Sequence, residues 1–418
     1  MGYAIVNKKI DFININNVEF RDDLYPRFEP EQSLIQKYAD SIEHLPAIEV
    51  NQDNILIDGY HRWKAHQLVE KEKIKAKTTK TESEKELKKL AYQRNSHHGK
   101  QLESNEKKEY AQEMIGQMEV KSLAKLLGVG KTTIKRWTKS QRKAQKQQRN
   151  RKITNLYLKA WNSQESIADI LGVSKKTISN VINSCKKVQM DDFTQNFEPY
   201  LYNIWKQKNQ DNNNEDHFGS FPLTYMKNLL YYHTEPLDII FDPFAGGGTT
   251  VDTCKEMFRR YYCTDRKVRA GREKEIKKHD IKEGLPDNLP KPDLTFLDPP
   301  YWKQAEGKYS NSEDDLGNMK LNEFYESIQK LFNQLVDRGS KKIALVIQPT
   351  QYANDFNFED HVMKFNQMLS NKYEIEMRYI LPYSTQQYNA QMVEKAKEKK
   401  ECLALHRDLI IWSRDIDD

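Results

Sequence analysis

Hydrophobic positions along the chain fall into three regimes. In the first, "AIEVNQDNILIDGYHRWKAHQLVEKEKIKAKTT" alternates apolar and polar residues in short runs around Asp58-Gly59. That pattern predicts short strands about a turn, with a helix beginning near His61. In the second, apolar residues sit at helical spacing in "SLAKLLGVGKTTIKRW" (Ser122–Trp137) and again, 44 residues on, in "SIADILGVSKKTISNV" (Ser166–Val181). Each copy breaks at Leu-Gly-Val and restarts in a segment rich in Lys, Thr and Ser, which predicts two helices joined by a sharp turn. The third regime follows a polar stretch, "KQKNQDNNNEDH", expected to be a loop. Its runs "LDIIF", "LTFL" and "KKIALVIQP" are apolar throughout and separated by helical segments, as strands buried on both faces are. "HRDLIIWSR" is expected to close the sheet beside "YEIEMRYIL". The chain therefore reads as multidomain: an α+β unit over residues 1–115, an all-α middle over 116–192 and an α/β unit over 193–418 with a mostly parallel sheet wound on both faces. With the last boundary there, loss of residues 1–190 is expected to leave the third unit's ligand binding intact.

Charge sharpens the middle regime. The net charge is only +6, but Lys131 to Ala160 holds eleven Lys/Arg and no acidic residue. Such a run displaces counterions from a polyanion, so nucleic acid is the expected partner. Together with the duplicated helix-turn-helix pattern it points to duplex DNA, with Lys131, Thr132, Thr133 and Arg136 from the first copy and Ser174, Lys175, Lys176 and Ser179 from the second offered to a major groove. That geometry suits B-form DNA better than RNA.

The first regime, with "IDGYHRWKA" and the later "YQRNSHHGKQLESNEK", resembles the ParB/sulfiredoxin-like domain over about residues 8 to 115. The resemblance implies that Gly59, His61, Arg62 and Asn95 hold nucleoside phosphates at a helix start, where free amides and the helix dipole favour anions. The chain has Tyr60 where sulfiredoxins carry cysteine, so their redox chemistry is not expected. It has Tyr60-His61-Arg62 where partitioning ParB proteins usually show Glu-Arg-Arg.

In the third regime "FDPFAGGGTT" closes the run "LDIIF". Three glycines there let the backbone turn tightly and meet a ligand beyond the carboxyl end of a strand. A P-loop is excluded because Gly-Lys-Ser/Thr is missing, and contiguous glycines do not fit G-x-G-x-x-G. About fifty residues later "DPPY", Asp298 to Tyr301, closes "LTFL". The two motifs together resemble those of S-adenosylmethionine-dependent amino-methyltransferases of DNA, over roughly residues 218 to 412, and imply a Rossmann-like catalytic domain. By that resemblance Asp242, Phe244, Ala245, Gly246, Gly248, Thr249, Asp265 and Asp280 bind S-adenosylmethionine, Asp265 at the ribose and Asp280 near the adenine ring. Asp298, Pro299, Pro300 and Tyr301 would form the catalytic turn, with the Asp298 carboxylate and the Pro299 carbonyl accepting the hydrogens of a target amino group and Tyr301 stacking on the base. An amino group inside a duplex requires base flipping. The family's leaning for Asp in the first position makes adenine N6 the expected target, with cytosine N4 as the alternative and a non-catalytic ParB-like partition regulator as the rival from another class.

The short interval between the motifs leaves target recognition to the helix-turn-helix units, to Lys303–Lys320 or to "STQQYNAQMVEKAKEKKE". A restriction-modification or orphan methylase of bacterial, phage or mobile-element origin, cytoplasmic and nucleoid-associated, is the overall expectation, with homodimerisation open. No apolar run is long enough to cross a bilayer, and "MGYAIVNKKIDF" lacks the apolar core of a secretion signal. Cys185, Cys254, Cys263 and Cys402 have neither C-x-x-C nor zinc-site spacing, so no metal is expected.

Overall fold

The computed structural model describes residues 10–24, 31–97, 104–206, 221–307, 311–353, 356–383 and 388–414. It divides into two compact units, Met1–Arg149 and Asn150–Asp418.

In the first unit a four-stranded sheet is ordered β1 (Ile10–Asn14), β4 (Lys73–Thr78), β2 (Ile48–Val50), β3 (Leu56–Asp58), with only the β2–β4 pair parallel. Helix α1 (Gln32–Ala39) precedes β2, and α2 (Tyr60–Leu68) connects β3 to β4. Val50, Ile48, Leu56, Ile74 and Trp63 close the core of this layer. The sharp step from β3 into α2 falls on Gly59, whose φ is +103° and where a Cβ would stand 2.7 Å from Ile48 Cγ2, so no other residue fits without displacing the core. Helices α3 (Glu84–His97) and α4 (Ser104–Met114) follow. Then α5 (Val120–Leu127) and α6 (Lys131–Trp137) form the first expected pair. They pack through Leu123, Leu127 and Ile134 against Met114 and Tyr92, with the turn made by Gly128 at φ +62°.

The division between the units falls within α7 (Lys139–Tyr157). The second helix pair, α8 (Gln164–Leu171) and α9 (Lys175–Asn196), turns at Gly172 and belongs to the second unit. Ser163 caps α8 and Ser174 caps α9 through side-chain oxygens, as short polar residues before a helical run do.

The remaining elements of the second unit are α10 (Leu223–His233), β5 (Ile239–Asp242), α11 (Thr249–Glu256), β6 (Arg260–Asp265), β7 (Ile276–Lys278), β8 (Leu294–Leu297), α12 (Leu321–Arg338), β9 (Lys342–Ile347), the hairpin β10 (Thr350–Ala353) and β11 (Phe356–Glu359), α13 (His361–Leu369), β12 (Glu374–Pro382), α14 (Ala390–Lys399) and β13 (His406–Ser413). The seven-stranded sheet is ordered β12-β13-β9-β8-β5-β6-β7. Strands β9, β8, β5, β6 and β7 are parallel, and β13 runs antiparallel to both its neighbours. Alternate residues of β5, β6, β8, β9 and β13 feed two cores. Ile240, Phe296, Val346 and Leu409 face one, while Phe241, Leu297, Leu345 and Ile410 face the other. Helices α12 and α13 cover the second core through Phe324, Phe332 and Phe365.

The first core holds an unexpected contributor. Ile153, Leu158, Ile167, Ile178, Val181 and Ile182, from the segment containing α8 and α9, are buried in it with Tyr261 and Met257. Leu158 O accepts from Tyr261 N–H at 2.8 Å, and Ala160 N–H donates to Tyr261 O at 2.8 Å. The Arg260 guanidinium, stacked 4.6 Å over Tyr157, donates to the carbonyls of Tyr157, Ala160 and Asn162 at 3.0, 3.2 and 2.9 Å. The second compact unit thus begins near Asn150, and removal of residues 1–190 would strip side chains out of its core, contrary to the expectation that such a cut leaves ligand binding intact.

Candidate active site

Sheet order decides where the motifs meet. From β5 the chain steps one way to β6 and later returns on the other side as β8, so a crevice opens beyond the carboxyl ends of β5 and β8. The glycine turn leaves β5 and the Asp-Pro-Pro-Tyr turn leaves β8. Both enter one cavity of about 950 Å3 lined by Asp242, Phe244, Ala245, Gly246, Gly247, Thr249, Asp265, Asp280, Asp298 and Pro300, among others.

The turn is held from beneath. Asp242 is buried, accepting from Thr250 Oγ1 at 2.5 Å and from Phe244 N–H at 2.9 Å. Burial pushes its carboxyl up to about 7, against the pull of those two donors. Gly246 N–H and Lys267 N–H each donate to one oxygen of Asp265, both at 2.8 Å, which ties the turn to the end of β6. Each carboxylate oxygen keeps an acceptor position for a ligand hydroxyl. Gly246 has φ +46°, and a Cβ there would find its nearest atom, Phe244 O, at 3.8 Å, so a side chain would project into open space. At Gly248, the N-cap of α11 at φ +91°, a Cβ would instead stand 3.1 Å from the Arg272 guanidinium, and this residue is not among those lining the cavity. Asp280 lines the cavity and caps the short helical turn after it through Lys282 N–H.

At Asp298, Tyr301 Oη donates to its Oδ1 at 2.7 Å, while Tyr301 packs against the cores and neither it nor Pro299 is among the residues lining the cavity. Burial raises the Asp298 carboxyl to about 6, while the Arg407 guanidinium and the Tyr301 hydroxyl pull it down. The turn is braced behind: Trp302 Nε1 donates to Met319 O at 2.9 Å, Gln304 Nε2 to Pro349 O at 2.9 Å, and Thr350 Oγ1 to Trp302 O at 3.3 Å. His361, buried, links Thr350 Oγ1 at 2.9 Å to Tyr325 Oη at 2.8 Å, and burial lowers its pKa to about 4, so it serves this brace as a neutral ring. Arg407, Tyr383 and Gln348 were not singled out in the sequence. For Arg407 a signal existed: it is a charged residue opening a strand whose alternate positions, Leu409 and Ile411, are wholly buried.

The other expected sites lie elsewhere. Lys131, Thr132 and Arg136 are exposed on α6 and Thr133 is half-buried beside them. On α9 Ser174, Lys175 and Lys176 are exposed, though Lys175 pairs with Glu165 and Ser179 Oγ donates to Gln164 Oε1 at 2.9 Å. At the start of α2, Arg62 binds Asp58 at 2.8 Å and Ala47 O at 2.7 Å, and His61 Nε2 accepts from Glu31 N–H at 3.2 Å. Both are committed to contacts within the unit. Asn95 lies on α3, its side chain outside the described residues, as do parts of the two C-terminal segments considered for target recognition, 308–310 and 384–387. Among the described residues no cluster of His, Cys, Asp or Glu is arranged to hold a metal, and no helix is long and apolar enough to cross a membrane.

Comparison with solved structures returned a C-terminally truncated chromosome-partitioning protein ParB from Caulobacter crescentus complexed to the centromeric parS site (15% identity, 31% of this chain and 70% of that chain, TM-score 0.24). It also returned a 1,6-didemethyltoxoflavin-N1-methyltransferase from Burkholderia thailandensis with bound S-adenosylhomocysteine (12%, 46% and 77%, 0.30) and an rRNA methylase from Streptococcus thermophilus (13%, 47% and 99%, 0.29). No curated protein matched. At such scores family membership rests on the sequence match alone: the DNA methylase family, of N6-adenine or N4-cytosine type, matches residues 60–273, just over half of the 418. That match takes in the glycine turn and Asp265, and by it the chain belongs to the DNA methylase family.

Proposed function

We propose that the protein transfers a methyl group from S-adenosylmethionine to the exocyclic N6 of adenine in duplex DNA. The observation that carries this reading is the single cavity that Gly246, Asp265 and Asp298 share. The donor set fits the cofactor: Asp265 offers acceptors for ribose hydroxyls, and Gly246 leaves its side of the cavity open. The cofactor would supply an electrophilic sulfonium methyl group. The amino nitrogen of a base is a poor nucleophile because its lone pair is delocalised into the ring. The Asp298 carboxylate and the Pro299 carbonyl accept hydrogen bonds from its two hydrogens, draw it toward tetrahedral geometry and fix its direction; the N–C bond would form as the methyl group leaves sulfur, and one amino proton would be lost to Asp298 or solvent, so that positioning and electrostatics replace covalent catalysis. For this the carboxylate must be ionised. Two prolines stiffen the turn.

In this reading the base is flipped out of the helix; α6 and the basic stretch of α7 offer DNA contacts from the first unit, and α9 by itself offers them from the second. The N-terminal unit is a ParB-like domain in which Gly59, His61 and Arg62 take a nucleoside phosphate, His61 and Arg62 exchanging their present partners to do so. A thermal shift with ATP, ADP or CTP tests that element, and no shift at millimolar ligand removes it. For the main activity the assay is mass spectrometry of nucleosides from DNA incubated with protein and cofactor. N6-methyladenine is expected, absent with Asp298→Ala although that variant still binds cofactor. N4-methylcytosine alone would overturn the choice of base, and undiminished methylation by Asp298→Ala would overturn the mechanism.

A further inference from the structure

Arg407 stands beside the catalytic turn because of strand direction. Strand β13 runs antiparallel to β9, so its amino end lies at the same edge of the sheet as the carboxyl ends of β8 and β9, with Asp408 paired to Ile347. Its guanidinium lies 5.2 Å over the ring of Tyr383, whose hydroxyl donates to Gln348 Oε1 at 2.6 Å and is thereby fixed. The charge acts on Asp298, Tyr301 and Tyr383 together. The guanidinium is hydrogen-bonded to the Tyr301 hydroxyl, while its Nε is buried and has no hydrogen-bond partner. A buried guanidinium donor left unpaired is costly, and beside a catalytic turn a bound ligand is one partner that would satisfy it.

Resting on the methyltransferase reading, we propose that Arg407 is a base-recognition residue, donating a hydrogen bond to the ring nitrogen next to the target amino group, N1 of adenine or N3 of cytosine. An amino donor beside a ring acceptor is the pattern both bases present. Asp298 as acceptor and Arg407 as donor form its complement. Thymine offers no amino group there, and on guanine's Watson–Crick edge N1, between the amino group and the carbonyl, carries a proton, so a guanidinium facing that edge refuses both. Stacking on Tyr383 holds the fork in plane, which a lysine would not reproduce.

The test uses the full-length protein and a duplex in which the methylated base, located by sequencing, is replaced by its 1-deaza (adenine) or 3-deaza (cytosine) analogue, retaining the amino group. The wild-type protein is expected to lose about tenfold or more in kcat/KM on the analogue, the scale of a lost hydrogen bond to a charged donor. Measured on the pH-independent plateau above the acid limb of each protein, Arg407→Leu is expected to lose a similar factor on the natural duplex and nothing further on the analogue, because the two changes remove one bond. Arg407→Lys should fall between, and cofactor affinity should be unchanged in both variants. Equal rates of the wild type on both duplexes would overturn the proposal without any variant, so it stays testable if Arg407→Leu does not fold. Losses that multiply would also overturn it, assigning Arg407 a structural role. Failure of the wild type to methylate any natural duplex would strike at the methyltransferase reading instead.

Discussion

Arg260→Ala tests whether the second helix pair is an integral part of the catalytic unit. The guanidinium makes three hydrogen bonds to carbonyls of the segment joining α7 to α8, at 2.9 to 3.2 Å, and stacks on Tyr157. A hydrogen bond from a charged donor contributes about 1.5–3 kcal/mol, but the side chain is half-buried, and freed carbonyls can take up water. The two backbone bonds between Tyr261 and residues 158 and 160 also remain. We therefore expect a loss of about 3 kcal/mol, well short of the sum of three bonds. For a unit of this size about 2–4 °C of Tm accompanies each kcal/mol, giving a drop of roughly 6–12 °C. Calorimetry of the full chain measures it, with the relevant transition identified by comparison with a chain starting at Asn150. Arg260→Lys, which keeps the charge but not the fork, should recover only part. Because Asp265 ends the same strand, cofactor affinity should fall with stability. A Tm within about 2 °C of wild type would refute the reasoning: the segment would then be an appendage held by its own turn.

Gly246→Leu should abolish cofactor binding in calorimetry, since its side chain would enter the cavity from a Cβ with nothing nearer than Phe244 O, while the left-handed φ there strains the turn locally at a cost of about 1 kcal/mol; unchanged affinity would misplace the pocket. A chain beginning at Asn150 should keep cofactor binding and lose most duplex affinity, whereas one beginning after residue 190 should not fold, having lost Ile153, Leu158, Ile167, Ile178, Val181 and Ile182 from its core. For the full chain, log affinity should fall linearly with log salt, and a flat dependence would remove the electrostatic reading of the basic run. Since Asp298 must be ionised to accept the amino hydrogen and burial raises its carboxyl to about 6, kcat/KM should decline as pH falls through about 6 and level off above it. Arg407→Leu removes a cation that lowers that value, so the acid limb should move to higher pH; an unmoved limb would separate the two groups.

Much of the second unit was legible in the chain. Uninterrupted apolar runs predicted strands buried on both faces, and β5, β8, β9 and β13 fall on them, because a strand that feeds two cores has no polar side to show. The glycine turn and Asp-Pro-Pro-Tyr were visible as local chemistry: backbone freedom and stiffness are written in single residues. Leu-Gly-Val marked both helical turns, since the left-handed conformation at Gly128 and Gly172 is a local demand.

Sheet order was beyond the reach of local pattern. That β8 pairs with β5 on the side away from β6, bringing Asp298 and Gly246 to one cavity, depends on pairing between segments about fifty residues apart. Likewise the antiparallel direction of β13 alone delivers Arg407 to Asp298, although more than a hundred residues separate them in sequence. The two copies of one helical pattern met different fates for the same reason. Amphipathicity told each pair that it must bury a face, but not against what. The first pair found Tyr92 and Met114, and the second found Tyr261 and the catalytic sheet. A residue's periodicity records that it will be buried; which surface buries it is a property of the assembled chain.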